Sequence, residues 1–447
     1  MNKLFGTDGI RGIANTELNT ELVYEVARSG GYYLTKDIKK RRPKIILGTD
    51  TRISKDMIEG ALVAGLTSIG IDVLFVGVIP TPGVAYLTKE LKTDGGIVIS
   101  ASHNPVEYNG IKFFDSNGYK LDEKEEKEIE NYIGKLDLHP IKEELGRKIY
   151  LNNGLKKYIN FLKESIKTNL KGLKIALDCG NGASYEAAPL LFNELGAEVY
   201  VVNSEPNGLN INVNCGSTSP EEIQTLVQET NADIGLSFDG DADRVIAVDE
   251  KGEIIDGDKI MASIALDLKT DQKLKNNTLV STLMSNLGLD LYLKDYDINI
   301  VKTTVGDRNV LKKMKDEDYI IGGEQSGHVI LLNYNTTGDG MLTGLKLAEI
   351  IKKNSYKASN LAENMKIMPQ TLKNAKVNNG NKNKYLEDEY ISKCIKDIEE
   401  EFSGNGRVYI RPSGTEPLVR VMIEGENQLY IEEKALNLVK IIEERLN

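Results

Sequence analysis

The chain has 447 residues, with 56 lysines and arginines against 67 aspartates and glutamates, which gives a formal charge of −11. This acidic balance argues against a nucleic-acid binder or a protein of anionic membrane surfaces, because both ligands favour a basic face. Hydrophobic residues at 40% and charged residues at 28% indicate a soluble globular protein, and the length predicts about two to four domains.

The sequence shows no pattern that is typical of a secreted or a membrane-spanning protein. The N-terminus carries a charge and glycines where a signal peptide has an apolar stretch, and no run reaches the roughly 18 apolar residues of a membrane span. The three cysteines, Cys179, Cys215 and Cys394, are far apart and show no C-x-x-C spacing. We expect a cytoplasmic protein without a disulfide framework or a zinc site.

A strand, helix, strand pattern occurs three times along the chain. Strands separated by helices of this length favour crossover connections and largely parallel sheets, so we predict three similar α/β domains with mixed, largely parallel sheets. The predicted runs are residues 44–48, 57–69 and 72–77 in the first copy, 173–178, 187–195 and 197–202 in the second, and 278–282, 287–293 and 298–302 in the third.

The last part of the chain has a different pattern. Residues 373–385 are rich in Asn, Lys and Gly and are predicted to form an exposed loop. A charged helix, two strands and an amphipathic C-terminal helix follow, which indicates a smaller α+β domain. The predicted domains are residues 1–150, 151–252, 253–368 and 369–447.

The stretch Asp239-Gly-Asp-Ala-Asp-Arg244 directly follows a strand run and is the most informative motif. Three carboxylates at alternate positions can converge on one hard cation, and Mg²⁺ fits because it accepts few protein ligands together with phosphate. A solvated acidic turn is the alternative. A calcium loop of the EF-hand type is disfavoured, because Arg244 stands where that loop needs glycine and a strand follows.

A second motif, Ser100-Ala-Ser-His-Asn-Pro105, follows a buried strand run. Strand ends that turn into small polar residues are where α/β sheets place ligand chemistry. A serine hydrolase is disfavoured because no G-x-S-x-G elbow surrounds Ser102. A plain turn, in which serine and asparagine bond the backbone, is the alternative for this segment alone.

Three further segments combine glycine with charged or hydroxyl side chains. Arg411-Pro-Ser-Gly-Thr-Glu-Pro417 offers a guanidinium, two hydroxyls and a glycine backbone for an oxyanion, and Thr7-Asp-Gly-Ile-Arg-Gly12 is a weaker example. Gly322-Gly-Glu-Gln-Ser-Gly-His328 offers groups suited to sugar hydroxyls. Taken singly, each segment is also compatible with a structural loop, and His328 with a structural histidine.

Together, these motifs, in this order and spacing, resemble the α-D-phosphohexomutase superfamily over essentially the whole chain. The resemblance implies three similar α/β domains and a smaller C-terminal α+β domain arranged around a central cleft. It also implies transfer of a phosphoryl group between a phosphoserine and a hexose phosphate through a 1,6-bisphosphate. A homodimer is expected only from this resemblance.

The resemblance assigns roles residue by residue. Ser102 would carry the phosphoryl group and, together with Asp239, Asp241 and Asp243, would hold Mg²⁺. His103 and Lys112 both remain candidates for the general base. The other implied residues are Arg11, His103, Lys112 and Arg244 at the transfer site, Glu324 and Ser326 at the sugar hydroxyls, and Arg411, Ser413, Gly414 and Thr415 at the phosphate that is not transferred.

The identity of the sugar depends on fewer positions. Gln325 and Ser100 resemble the branch that interconverts glucosamine 6-phosphate and glucosamine 1-phosphate through glucosamine 1,6-bisphosphate and supplies UDP-N-acetylglucosamine and cell-wall precursors. A phosphoglucomutase or phosphomannomutase with the same mechanism is the alternative, and a catalytically silent phosphosugar-binding protein is a third. Ala242 departs from the glycine that is more frequent in the metal loop, without changing a ligand.

Overall fold

The predicted alternation of strands and helices is present in a computed structural model, which describes residues 4–6, 8–39, 41–413 and 416–447. The chain forms two compact units, residues 1–284 with 298–363, and residues 285–297 with 364–447. Within the described residues, no helix has both the length and the apolar character that crossing a bilayer requires.

A six-stranded mixed sheet with the order β1-β5-β4-β2-β3-β6 is built from the first part of the chain. Crossover helices make β2, β3 and β4 parallel, whereas a short loop returns the chain from β4 to β5 and makes that pair antiparallel. The elements are β1 (Ile10–Ile13), α1 (Thr20–Thr35), β2 (Lys44–Thr49), α2 (Lys55–Ser68), β3 (Asp72–Val78), α3 (Thr81–Glu90), β4 (Gly95–Ile99), β5 (Tyr108–Phe114), α4 (Glu123–Tyr132) and β6 (Lys148–Tyr150).

The second sheet repeats this plan with the order β11-β10-β9-β7-β8. Strands β7, β8 and β9 are parallel, and a tight connection after β9 makes β10 antiparallel to it. The elements are α5 (Gly154–Glu164), β7 (Lys174–Asp178), α6 (Ala187–Glu194), β8 (Glu198–Val202), α7 (Glu221–Thr230), β9 (Ile234–Phe238), β10 (Val245–Asp249) and β11 (Ile254–Ile255).

The third sheet, with the order β13-β12-β14-β15, repeats the plan again. Strands β12, β13 and β14 are parallel, and β15 is antiparallel to β14. Helix α9 follows β12 in the chain but belongs to the second compact unit. The elements are α8 (Gly257–Thr270), β12 (Thr278–Thr282), α9 (Leu287–Lys294), β13 (Asn299–Thr303), α10 (Asp307–Asp316), β14 (Ile321–Gly323), β15 (Val329–Leu331) and α11 (Gly340–Asn354).

The C-terminal elements form a three-stranded antiparallel sheet with the order β16-β18-β17. Its core is formed by apolar residues of the sheet and of the last helix, including Ile431, Leu438 and Ile442. The elements are β16 (Gln370–Lys376), α12 (Glu389–Glu401), β17 (Gly406–Pro412), β18 (Leu418–Gly425) and α13 (Gln428–Leu446). The predicted α+β character is therefore confirmed.

One local prediction was wrong. Residues 373–376, predicted as the start of an exposed loop, form the second half of strand β16. The strand lies at the edge of its sheet, and helix α13 packs against one of its faces. Thr371 and Ala375 are buried on that face, with Lys373 half-buried between them, while Asn374 and Lys376 are exposed on the other face, which explains why the segment has the composition of a loop.

Helices α1 and α2 pack closely because glycine stands at their contact. A Cβ atom at Gly65 would lie 2.6 Å from Ala27 Cβ and 2.7 Å from the carbonyl oxygen of Tyr24. Gly60, on the exposed side of the same helix, would place its Cβ in open space. The two glycines thus differ in packing but share a helix.

We expect Gly65→Ala to lower the free energy of unfolding by about 1–3 kcal/mol, because the added methyl group overpacks the contact between α1 and α2. The matched variant Gly60→Ala should raise it by up to about 1 kcal/mol, because alanine is the better helix former. Urea unfolding of both proteins provides the measurement. Equal shifts in the two variants would contradict the packing argument.

Candidate functional site

Three of the sequence motifs occupy the same place in three different sheets. Each follows a parallel strand and leads into an antiparallel neighbour: residues 100–107 between β4 and β5, residues 239–244 between β9 and β10, and residues 324–328 between β14 and β15. The carboxyl ends of parallel strands are the usual location of ligand sites in α/β sheets. The repeated plan therefore presents one functional loop per sheet.

Ser102 joins the first loop to the second. Its side chain is buried, with 1% of the residue exposed, and its hydroxyl donates a hydrogen bond of 2.6 Å to Asp239 Oδ2. His103 Nδ1 lies 3.3 Å from the same hydroxyl oxygen. The candidate nucleophile, a ring nitrogen and an acidic loop are thus in direct contact.

The three aspartates of the second loop form one buried cluster, whose ligand oxygens lie within 4.8 Å of one another. Asp241 Oδ2 accepts hydrogen bonds from Thr81 Oγ1 at 2.6 Å and Lys112 Nζ at 2.7 Å. Asp241 Oδ1 and Asp243 Oδ1 are buried and have no hydrogen-bond partner among the described residues. Carboxylate oxygens that lack partners are suited to a hard cation, so the cluster fits a divalent metal.

The electrostatics of the cluster agree with this fit. Burial raises the pKa of Asp239 well above its usual value, and the neighbouring Asp243 and Asp241 carboxylates raise it further. Three ionised carboxylates this close are therefore unfavourable by themselves. A divalent cation would favour the ionised form of all three.

Ala242 takes the left-handed backbone conformation in the middle of this loop, with φ of +55°. Its N–H donates to the carbonyl oxygen of Asp239 at 3.0 Å, and its own carbonyl accepts the N–H of Gly340, the first residue of α11, at 3.0 Å. Glycine would adopt this conformation without the penalty of a Cβ atom. The alanine therefore changes backbone strain and leaves every candidate ligand in place.

Lys112, on β5, is almost fully buried against the acidic cluster. Its Nζ lies 2.7 Å from Asp241, 2.9 Å from Asp8 and 3.5 Å from Asp243. Burial by itself would lower the pKa of Lys112, but these carboxylates outweigh it and raise the pKa well above its usual value. Lys112 is therefore a fixed cation at neutral pH rather than a proton acceptor.

Lys120 connects this network to Asp307, and the sequence analysis identified neither residue. Its Nζ lies 2.8 Å from Asp8 and 2.6 Å from Asp307, at the start of α10. Burial opposes its charge, but Asp307 and Asp8 raise the pKa of Lys120 to about 12. Neither Lys120 nor Asp307 stands in a motif, so no local signal could have identified them.

His328 is also part of the cluster. It is buried, its Nε2 accepts the N–H of Gly338 at 3.1 Å, and its Nδ1 lies 3.5 Å from Asp243 Oδ2. The accepted hydrogen bond assigns the ring proton to Nδ1, where it faces the carboxylate. The sequence left open whether His328 is a structural histidine or a member of the third motif, and its contact with Asp243 places it beside the acidic cluster.

Arg11 and Arg244 bring two guanidinium groups to the site. Arg11 Nη2 lies 2.7 Å from Asp8 and its Nη1 donates to Asn104 Oδ1 at 3.2 Å, while Arg244 Nε is 3.9 Å from Asp243. The Nε atoms of both arginines are buried and lack a hydrogen-bond partner among the described residues. Both side chains are nevertheless partly exposed, so each guanidinium group can reach an oxyanion.

His103 is kept neutral mainly by its burial and additionally by these two arginines. Burial lowers its pKa to about 4, and Arg244 and Arg11 contribute to the shift. At neutral pH its ring therefore has a nitrogen that can accept a proton. Of the two candidate bases from the sequence, His103 meets this requirement and Lys112 does not.

The third loop contacts the second. Glu324 Oε1 accepts the N–H of Gly306 at 3.1 Å, and the carbonyl of Gly327 accepts the N–H of Val245 at 3.2 Å. Gly327 has φ of +90°, and a Cβ there would lie 2.2 Å from the Val245 carbonyl oxygen, so glycine is required. Ser326, at the tip of the loop, is exposed.

The fourth motif belongs to the second compact unit. Arg411 is half-buried at the end of β17, and Ser413 is buried, with its Oγ accepting the N–H of Glu416 at 3.2 Å. Gly414 and Thr415 lie outside the described residues. The described part is thus a polar turn between two antiparallel strands.

Comparison with known proteins identifies the family. The sequence matches three domain profiles described as phosphoglucomutase/phosphomannomutase alpha/beta/alpha domains I, II and III, over residues 2–140, 156–252 and 256–368, and the C-terminal domain profile over residues 372–438. The chain belongs to the phosphoglucomutase/phosphomannomutase family. The family resemblance inferred from the motifs is therefore confirmed.

One relative of this chain is a phosphoglucosamine mutase from Acetivibrio thermocellus. The two sequences are 58% identical over 450 residues, and the match covers 100% of both chains. A phosphoglucomutase/phosphomannomutase family protein from Burkholderia thailandensis superimposes with a TM-score of 0.82 at 23% identity, covering 100% of this chain and 99% of that one. An Aspergillus fumigatus N-acetylphosphoglucosamine mutase, solved with GlcNAc-6P and magnesium, gives 0.69 at 15% identity, covering 99% and 96%.

We expect Asp239→Asn to raise the thermal unfolding midpoint of the cation-free protein by roughly 2–4 °C. The folded-state pKa of Asp239 lies above its unfolded value, so its ionised form opposes folding at neutral pH, and the amide removes that charge. We expect millimolar MgCl₂ to raise the midpoint of the wild-type protein and to leave that of the variant unchanged.

An exposed carboxylate serves as the control for this experiment. Asp316→Asn, on the exposed side of α10, should leave both the cation-free midpoint and the response to MgCl₂ unchanged. A wild-type midpoint that does not respond to divalent cations would contradict the metal assignment, as would an equal response in Asp239→Asn.

Proposed function

We propose that this chain is a phosphoglucosamine mutase that interconverts glucosamine 6-phosphate and glucosamine 1-phosphate. The observation that carries the mechanism is the hydrogen bond of 2.6 Å between the Ser102 hydroxyl and the aspartate cluster. The choice of sugar is supported by 58% identity over the full length to an enzyme of that name. Gln325, from the third loop, is consistent with the same sugar.

In this proposal, the phosphoryl group is stored on Ser102 Oγ. The C1 hydroxyl oxygen of glucosamine 6-phosphate attacks the phosphorus, the bond from phosphorus to Oγ breaks, and glucosamine 1,6-bisphosphate forms. His103, neutral and beside Oγ, would accept the proton of the attacking hydroxyl and return it to the departing Ser102 oxygen. After the bisphosphate turns over, its 6-phosphoryl group returns to Ser102 and releases glucosamine 1-phosphate.

The surrounding residues would contribute mainly by compensating charge, because phosphoryl transfer requires little covalent chemistry from the protein. Arg11 and Arg244 would bind the oxygens of the phosphoryl group through their partly exposed guanidinium groups, and Lys112 would remain a fixed cation beside them. Asp239, Asp241 and Asp243, with the phosphate of Ser102, would hold Mg²⁺. When bound, Mg²⁺ offsets the negative charge on the transferring group.

Substrate binding would use the two remaining motifs. Glu324 and Ser326 would bind sugar hydroxyls, since carboxylate and hydroxyl oxygens are suitable partners for them. Arg411, Ser413, Gly414 and Thr415 would hold the phosphate that is not being transferred. Separate sites for the two phosphates allow the bisphosphate to present either end to Ser102.

Substrate preference tests the choice of sugar. We expect kcat/KM for glucosamine 6-phosphate to exceed that for glucose 6-phosphate and mannose 6-phosphate by at least about tenfold, a difference of about 1.4 kcal/mol. Coupled assays of all three sugars with the same enzyme preparation give the ratios. A higher kcat/KM for either neutral sugar would assign the chain to the phosphoglucomutase or phosphomannomutase activity instead.

The role of Ser102 is tested by mass and turnover together. Ser102→Ala should lower kcat by about 10⁴-fold or more and should abolish the phosphoryl adduct seen by intact mass and peptide mapping. Ser29→Ala is the control, because Ser29 is equally buried and its hydroxyl has no hydrogen-bond partner among the described residues. Turnover retained in Ser102→Ala would refute the phosphoserine mechanism.

A further inference from the structure

The backbone of Ser102 has an unfavourable conformation that its neighbours must hold. Its φ of +55° lies in the left-handed region, which residues with a Cβ atom rarely adopt. Such conformations persist where the surrounding structure over-determines them, commonly at functional sites. The groups that fix the Ser102 peptide are therefore of interest.

A buried ion pair directly after β2 fixes both peptide groups of Ser102. Asp50 and Arg52 have fully buried side chains joined by a contact of 2.9 Å. On the N–H side, Ser100 Oγ accepts the N–H of Ser102 at 2.9 Å and donates to Asp50 Oδ2 at 2.6 Å. On the carbonyl side, Arg52 Nη2 donates to the Ser102 oxygen at 2.9 Å.

The same guanidinium holds the rest of the loop. Arg52 donates to the carbonyl oxygens of Asn104 at 2.8 Å, Pro105 at 2.6 Å and Tyr108 at 3.0 Å. Asn212, which comes from the part of the chain that contains the second sheet, adds an independent contact. Its Nδ2 donates to the Ser102 oxygen at 2.9 Å and lies 3.4 Å from the Asn104 oxygen.

The energetics favour a role in positioning over a role in stability. Burying an ion pair carries a large desolvation penalty, and apolar residues of similar volume commonly serve stability as well or better. What apolar residues cannot do is bind four carbonyl groups in a fixed pattern. The planar fork of arginine is suited to this task and the single ammonium of lysine is not.

We propose that Arg52 and Asn212 are positioning residues for phosphoryl transfer. They fix the Ser102 peptide so that Oγ faces the aspartate cluster, and they act through the backbone without contacting a reacting atom. The inference depends on the proposed phosphoserine mechanism, because it concerns the placement of that serine. It predicts a defect in the chemical step, since a small misplacement of reacting groups can lower a rate about 10²-fold.

The experiment compares Arg52→Lys and Asn212→Ala with a matched arginine outside the site. Arg28 is also buried and donates to two backbone carbonyls, those of Leu136 at 3.0 Å and Leu138 at 3.2 Å. Arg28→Lys therefore reports what a merely structural arginine does. For each protein we would measure the unfolding midpoint, kcat and KM, and the single-turnover loss of the phosphoryl group from Ser102 by intact mass.

We expect kcat and the single-turnover rate to fall about 100-fold in Arg52→Lys and about 10-fold in Asn212→Ala, with KM within about threefold of the wild-type value. Arg28→Lys should keep kcat within about twofold even if its unfolding midpoint falls. If Arg52→Lys does not fold, Asn212→Ala decides the question, because it removes no buried charge.

Two results would overturn the inference: folded variants whose kcat stays within about threefold of wild type, or a loss that resides in KM with an unchanged single-turnover rate. A wild-type protein that carries no phosphoserine and shows no mutase turnover would count against the proposed function instead. The two failures are thus distinguishable.

Discussion

Burial of three aspartates within one tight connection is the constraint on which the site depends. Like charges at such short range repel strongly once water is removed, and each charge also loses its hydration. The structure places Lys112 against two of these carboxylates and His328 against one of them. Compensation is incomplete, because two carboxylate oxygens stay without hydrogen-bond partners among the described residues. This unfavourable remainder is the reason why the cluster fits a divalent cation.

This arrangement also explains how an acidic chain can serve an anionic substrate. The formal charge of −11 is a property of the whole molecule and describes its surface and solubility. Around Ser102, however, the buried carboxylates meet Lys112, Lys120, Arg11 and Arg244, so local charge is nearly balanced before any cation binds. Local composition, and not the net charge, decides which ligands the site accepts.

Contacts between residues close in the sequence could be predicted from it, whereas contacts between distant residues could not. Asp239, Asp241 and Asp243 stand at alternate positions of one short segment, so their convergence is local and could be recognised. Lys120 and Asp307 are 187 positions apart and meet only because two sheets come together, which no spacing rule reports. Strand β16 was missed for another reason: an edge strand with one covered face needs few apolar residues.

Arg52 is another residue whose contacts could not be predicted from its neighbours in the sequence. It lies in a turn whose composition is unremarkable, and its four carbonyl partners appear only when the loop after β4 is folded. Glycine positions behave in the same way. That Gly327 must be glycine is evident only from its φ and from the nearby Val245 carbonyl, neither of which is encoded by neighbouring residues. Motifs therefore predicted the candidate reacting groups, and the structure shows which contacts hold them.

The contact between Ala242 and Gly340 has a consequence for when the loop between β9 and β10 can fold during synthesis. The loop of residues 239–244 is complete in sequence once residue 244 has been synthesised, yet the Ala242 carbonyl accepts its hydrogen bond from the first residue of α11. A Cβ at Gly340 would also lie 2.4 Å from the Arg244 carbonyl oxygen, so the helix closely abuts the loop. During translation, the loop can reach its final form only after nearly a hundred more residues have left the ribosome.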